Sequence, residues 1–253
     1  MRTGLVAFLM ALLMLGSTSV QRAEAQQQLV ADLSNHLVAI TTDFSGAELL
    51  LFGAVDGPGE IIVTVTGPRG EVPVRKKSRV LGVWANTDSI TFENVPSFYA
   101  VAATSPLDEA TSAEIRHRQE IGLDYLAIRP VDTDSSRDQE TIRRFKEGLI
   151  RNKEAQGLYV SDVGNVSVFS DRLFRTTVRF PANVVTGQYL VSVYYIQDGS
   201  PVHAQTTPLV VSKIGLGAEV YLFAHRQSAA YGVVAVLIAV AAGWLAAAVF
   251  RKV

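Results

Sequence analysis

Apolar and polar residues alternate in short runs over most of this chain, and at its end the alternation stops. Ile61, Val63 and Val65 interleave with Ile62, Thr64 and Thr66, the two-residue period of a strand with one face on a core. Similar β-rich runs cover His36–Thr41, Ala47–Gly53, Glu60–Thr66, Arg79–Ala85, Ser89–Glu93 and Phe98–Ala103. Turn residues separate them at Asp56-Gly57-Pro58-Gly59, Gly67-Pro68-Arg69-Gly70 and Asn86-Thr87-Asp88. Proline presets φ for a turn and glycine takes the positive φ that other residues avoid. Six short strands at this spacing predict a small β-sandwich of immunoglobulin-like type. The Cys–Trp–Cys pattern of antibody domains is absent, so the expectation concerns architecture alone.

At Ser105 the period changes. Ser105-Pro106-Leu107-Asp108 predicts a helix start, with Ser105 as cap, Pro106 at the first helical position and Asp108 near the positive end of the dipole. That helix is expected to run to about Tyr125. A second is expected from Ser135 or Ser136, where Ser136-x-x-Gln139 reads as a capping box. Ile142, Phe145 and Leu149 give it an apolar stripe, and Glu140/Arg144 and Glu147/Arg151 are i,i+4 pairs on its wet side. The two helices are expected to form a hairpin.

After Gly157 strands return at Leu158–Asp162, Val166–Ser170, Leu173–Phe180, Gln188–Gln197 and Val202–Val211, with Asp198-Gly199 as a hairpin turn. Pro181 and Pro208 belong at strand ends or edges. These strands either build a second β module or complete the first around a helical insertion, and the favoured division is two modules. The expected boundaries are a leader at 1–25, a β-sandwich domain at 26–104, a helical hairpin at 105–156 and a β module at 157–212. A juxtamembrane segment at 213–227, a membrane helix at 228–250 and a tail at 251–253 complete the chain.

The final stretch, Ser228 to Phe250, holds 23 residues without a charge. A helix of that length reaches about 34 Å, enough for a hydrocarbon core of about 30 Å. Lys213–Gln227 before it is expected to lie as an amphipathic turn or helix at the membrane surface. At the other end Arg2, the apolar run Leu5 to Leu15 and Ala23-Glu24-Ala25 have the order of a secretory signal peptide. Export of the body and retention of Arg251-Lys252 in the cytoplasm then follow from the positive-inside rule. The expected location is the inner membrane, with a periplasmic domain and one span.

Formal net charge is −1, which argues against a general nucleic-acid binder. The chain has no cysteine, hence no disulfide framework and no thiolate metal site. His36, His117, His203 and His225 are scattered without ligand spacing, and neither a nucleophile elbow nor a P-loop is present. No cofactor, metal or enzymatic activity is expected. Asp132-Thr133-Asp134 resembles a carboxylate pair for a hard cation, but just before a helix it also complements the dipole. Asn165-Val166-Ser167 is formally a glycosylation sequon.

Arg75-Lys76-Lys77-Ser78-Arg79 is the strongest charge feature. Its cations Arg75, Lys76, Lys77 and Arg79 suit anionic head groups, a small oxyanion or an acidic partner loop, or else guard a strand edge. Trp84, Phe98 and Tyr99 are expected as packing aromatics of the first sandwich. In the span, Ala235, Ala239, Gly243 and Ala247 recur every fourth position, with Gly232, Ala242 and Ala246 nearby. Small residues so spaced let a second helix approach closely, and an anchor without a partner has the same composition. Tyr231 and Trp244 lie towards its two ends, as interfacial aromatics do.

Phe44-Ser-Gly-Ala-Glu-Leu, the basic run leading to Gly82-Val-Trp84-Ala-Asn86, Val95-Pro-Ser-Phe-Tyr99-Ala-Val, and Tyr231-Gly232 through Gly243-Trp244 carry a resemblance. On these stretches the chain resembles the alphaproteobacterial transmembrane family Alph_Pro_TM over essentially its whole mature length. The resemblance implies no catalytic residue. It does imply a transport context, because such proteins are often encoded beside a permease resembling sulfite or organosulfonate exporters. The expected function is a non-enzymatic accessory or assembly subunit that contacts the lipid bilayer and a multi-pass permease. The alternative is a periplasmic small-anion binding module using the basic patch at 75–79.

Overall fold

Alternation along the chain becomes strands wherever one face can be buried, and the computed structural model describes these in residues 29–131 and 136–250. The leader, Asp132-Thr133-Asp134 and the 251–253 tail lie outside the described residues. In chain order the first strands are β1 (Leu29–Leu33), β2 (Leu37–Ile40), β3 (Gly46–Val55), β4 (Glu60–Thr66), β5 (Arg69–Val80), β6 (Val83–Pro96) and β7 (Tyr99–Ala103). Then follow β8 (Arg129–Pro130), β9 (Gly164–Asn165), β10 (Ser167–Phe169), β11 (Leu173–Pro181), β12 (Gly187–Gln197) and β13 (Ser200–Lys213). The helices are α1 (Leu107–Ala110), α2 (Ala113–Gln119), α3 (Gln139–Ala155), α4 (Leu216–Arg226) and α5 (Ser228–Phe250). The architecture is mainly β with one C-terminal apolar helix, as expected.

Two sheets face each other. One runs β1-β3-β11-β10 and the other β2-β13-β12-β4-β7-β9. Between them Phe180 of β11 stacks on Phe98 at 5.0 Å and meets Tyr189 of β12 edge-on at 5.7 Å. Phe98 and Tyr189 are fully buried, as are Leu51, Ile61 and Tyr195 elsewhere in the same core. Gln205 of β13 straps the sheets together, donating to the Ala31 carbonyl at 2.7 Å and accepting from its N–H at 2.9 Å.

The expected division into two β modules is corrected by these pairings. β11 lies against β3 from Leu173↔Ala54 to Pro181↔Gly46, and β12 lies against β4 from Leu190↔Thr66 to Ile196↔Glu60. Strands from both sides of the helical segment share each sheet, so that segment interrupts one sandwich. Pro181 ends β11, and Pro208 stands in β13 just before the β2 pairing begins at Val210, both where a missing N–H costs nothing.

The first expected helix is broken. Thr111, buried at 3 % exposure with an extended backbone, ends α1 and donates its hydroxyl to the Gly199 carbonyl of the β12–β13 turn. Ser112 then caps α2, accepting from the Ile115 N–H at 3.4 Å. Ser105 does not cap: its hydroxyl donates to Glu60 at 2.8 Å. The cap of α3 is Asp138, accepting from the Thr141 N–H at 2.8 Å, rather than Ser136. Phe145 and Leu149 are buried as their spacing predicts. Glu140 pairs with Arg144, whereas Glu147 pairs with Arg143 and not with Arg151. In place of a self-contained helical hairpin, α3 packs on β5 and β6.

Lys213–Gln227 contains α4, as expected of the juxtamembrane segment, and α5 follows at once. Phe223 meets Tyr231 edge-on at 6.1 Å across that joint. The mean hydropathy of α5 reaches 2.6 with none of its residues buried by the chain. Among the described residues it is the one helix long and apolar enough to cross a membrane.

Candidate functional site

A single two-stranded ribbon runs from the sandwich core to an exposed tip. Thr66 pairs with Tyr99, Gly67 donates to the Phe98 carbonyl at 2.8 Å, Ser97 donates to the Pro68 carbonyl at 2.9 Å, and Arg69 pairs with Pro96. Gly67-Pro68-Arg69-Gly70 is therefore ladder and not the expected turn. A Cβ at Gly67 would press on Ser97 and Phe98, so glycine serves close approach there. The β5–β6 pairing continues to Val80↔Val83, with irregularities between Gly70 and Val72 and between Lys76 and Lys77.

The expected strand Arg79–Ala85 is in fact the end of this arm, and Asn86-Thr87-Asp88 lies within β6. Leu81 and Gly82 both take positive φ, 50° and 87°, the backbone of a two-residue hairpin turn. Val80, Leu81, Val83 and Trp84 are apolar enough to pass for a buried strand, yet all four are exposed. Leu81 is fully exposed and Trp84 is 68 % exposed, whereas Phe98 and Tyr99 are core residues as expected.

Packing and charge hold the arm's base. Ile90 and Phe92 are buried, with Val72 and Val74 packed on the same core and Phe145 and Leu149 supplied by α3. Arg69 pairs with Glu120 at 2.9 Å, and Arg137 with Asp88 at 2.7 Å. The Arg137 hydrogen bond holds the Asp88 carboxyl below the usual range, against a smaller opposing effect of desolvation. Beyond Asp88 no ion pair and no buried side chain supports the arm among the described residues.

Arg75, Lys76, Lys77 and Arg79 all lie exposed on β5 in this outer half. Among the described residues Arg75, Lys76 and Lys77 form no ion pair, while Arg79 donates to the Gly82 carbonyl at 3.2 Å and braces the turn. The structure thus sets the four expected cations directly behind an apolar tip that sequence reasoning missed. The missed signal was the Leu-Gly pair, flanked by valines at turn spacing.

Ala235, Ala239, Gly243 and Ala247 share α5, a separate element from the arm. A Cβ at Gly232 or Gly243 would meet open space, and none of the helix's residues is buried by the described chain.

A cleft of about 470 Å³ opens between α2, α3 and β7, lined by Tyr99, Arg116, Ile121, Glu147, Arg151 and Glu154 among others. Arg116 lies 5.1 Å over the Tyr125 ring, with its Nε buried and unpaired. Two arginines there, Arg116 and Arg151, face three carboxylates, Asp124, Glu147 and Glu154, so the lining has no excess of positive charge for an anion. The four histidines stay apart: His36 meets Asp32 at 3.0 Å, His225 meets the Tyr221 carbonyl at 3.0 Å, and no group of three metal-ligand side chains converges among the described residues.

These elements define a class: a β-sandwich with a projecting basic arm, carried on a helix fit to span a membrane. The chain belongs to the family described as "Putative transmembrane protein (Alph_Pro_TM)", whose model matches residues 28–252. No curated protein matches it.

Proposed function

We propose that this chain is a single-pass, non-enzymatic accessory or assembly subunit of a membrane complex, with its sandwich on the periplasmic face of the inner membrane. The observation that carries the reading is α5. It is apolar on every side, none of it is buried by its own chain, and its small residues recur every fourth position at Ala235, Ala239, Gly243 and Ala247. Lipid solvates a plain anchor well, so a close-approach face supports a second helix as its neighbour. The order of charges and apolar residues in the first 25 positions supports export of the sandwich. A multi-pass permease of the anion-exporter type is the partner that the family resemblance suggests. The cations of the arm lie along one exposed strand, which favours recognition of a surface over capture of a small anion.

The test is affinity purification of the full-length protein in mild detergent, with co-purifying proteins identified by mass spectrometry. A stoichiometric multi-pass partner is expected, and it is expected to be lost when Ala239→Leu and Gly243→Leu are combined. Recovery of the wild-type chain alone would overturn the accessory role.

A further inference from the structure

The arm has the layered chemistry of a membrane interface. Its tip is apolar, with Val80, Leu81, Val83 and Trp84 exposed, and Arg75, Lys76, Lys77 and Arg79 follow within a few residues on β5. Leu81 occupies a positive-φ turn position where asparagine, aspartate or glycine is the usual solution. It is also fully exposed to water. Both its backbone and its solvation are unfavourable in the free chain, a combination that points to use of the tip.

The arm and the chain to the span leave the sandwich at one end. Thr66 at the end of β4 pairs with Leu190, Leu190 pairs with Pro208, and Gly187 pairs with Val211. The sheet end at which β4 passes into β5 is therefore the end at which β13 leaves for α4 and α5. The 12 residues of β5 extend about 40 Å, whereas the 11 residues of α4 measure about 16 Å. The arm is longer than the helix that joins the sandwich to the span, so a bilayer at that end of the sheet lies within its length.

We propose that the β5–β6 arm docks on the anionic phospholipid surface of that bilayer. Leu81, Val83 and Trp84 enter the boundary between head groups and acyl chains, and Arg75, Lys76, Lys77 and Arg79 contact lipid phosphates. Tryptophan suits that boundary, having an apolar ring and one N–H donor, and cations just outside it gain wherever the facing lipids carry net negative charge. Docking gives the sandwich a second attachment and fixes its orientation over the membrane. The inference rests on α5 crossing a bilayer and not on the accessory role, so its failure leaves that role standing.

The chain contains two tryptophans, Trp84 and Trp244. Full-length Trp244→Phe, reconstituted in lipid nanodiscs, reports on Trp84 alone. In discs containing phosphatidylglycerol, Trp84 emission is expected to shift to the blue, resist aqueous iodide and be quenched by lipids brominated high on the acyl chain. Replacing Arg75, Lys76, Lys77 and Arg79 by glutamine in that background is expected to lower the docked-to-undocked ratio about fivefold per cation lost. Leu81→Asp with Val83→Asp is expected to abolish lipid quenching and leave the circular dichroism spectrum unchanged, because both side chains are exposed. Trp84 emission that stays water-like and open to iodide in anionic discs would overturn the proposal. Protection from iodide without lipid quenching would assign the tip to a protein groove, a second copy included, and would overturn it equally.

Discussion

Phe98→Ala is expected to destabilise the sandwich by about 3–5 kcal/mol, the cost of deleting a buried aromatic from a core that closes only partly around the gap. Phe98 is fully buried, stacked on Phe180 at 5.0 Å and within 6.1 Å of Tyr189. Its backbone carbonyl accepts from Gly67 where the core ladder passes into the arm. In a domain of this size the loss corresponds to a fall of roughly 10 °C in unfolding midpoint. Trp84→Ala deletes a larger ring from the same ribbon and is expected to change stability by no more than about 0.5 kcal/mol, because that ring is exposed. Thermal unfolding of the two full-length variants in detergent, followed by circular dichroism in the β-sheet band, separates them. Equal losses would contradict the assignment of Phe98 to the core and Trp84 to the surface.

The second large effect concerns α5. Val236→Asp combined with Val240→Asp places two carboxylates near the middle of the 23-residue helix. On insertion scales each charge there costs about 2.5–3.5 kcal/mol, enough together to offset much of what an alanine-rich segment gains from lipid. The doubly substituted chain is expected to leave the membrane fraction on alkaline carbonate extraction, while wild type stays in the pellet. Two aspartates at exposed sandwich positions, such as Leu190→Asp and Val202→Asp, are expected to leave fractionation unchanged. A double α5 variant retained as firmly as wild type would mean that something other than this helix holds the chain.

The long apolar helix was legible from sequence because its signal is local: 23 residues, no charge, no polar stripe. Strands were legible where alternation was clean, as at Gly187–Val193, whose buried and exposed positions alternate in β12 up to Val193. Partners across the sandwich were not. That β11 belongs to β3 and β12 to β4 depends on contacts more than a hundred residues apart, which no window of sequence weighs. The break at Thr111 has a similar cause, a tertiary hydrogen bond to Gly199 that outweighs helix continuation.

The basic run was visible as charge, and its setting was not. Reading Val80 to Trp84 by hydrophobicity put the tip in a core. Two consecutive positive-φ residues in fact turn the chain there and leave every apolar side chain in solvent. Asn86-Thr87-Asp88 looked like a turn by composition. Asp88 instead sits in β6, where its carboxylate takes the Arg137 guanidinium at the foot of the free arm.

On the proposed topology the sandwich is expected on the periplasmic side of a membrane and the last residues on the other. The absence of native cysteine makes this directly measurable. Two single-cysteine chains suffice, Ser200→Cys at the exposed start of β13 and Val253→Cys at the last position, labelled in intact spheroplasts with a membrane-impermeant maleimide. Labelling of the first without permeabilisation, and of the second only after it, is the predicted result. Equal access to both positions, or the reverse order, would contradict the account.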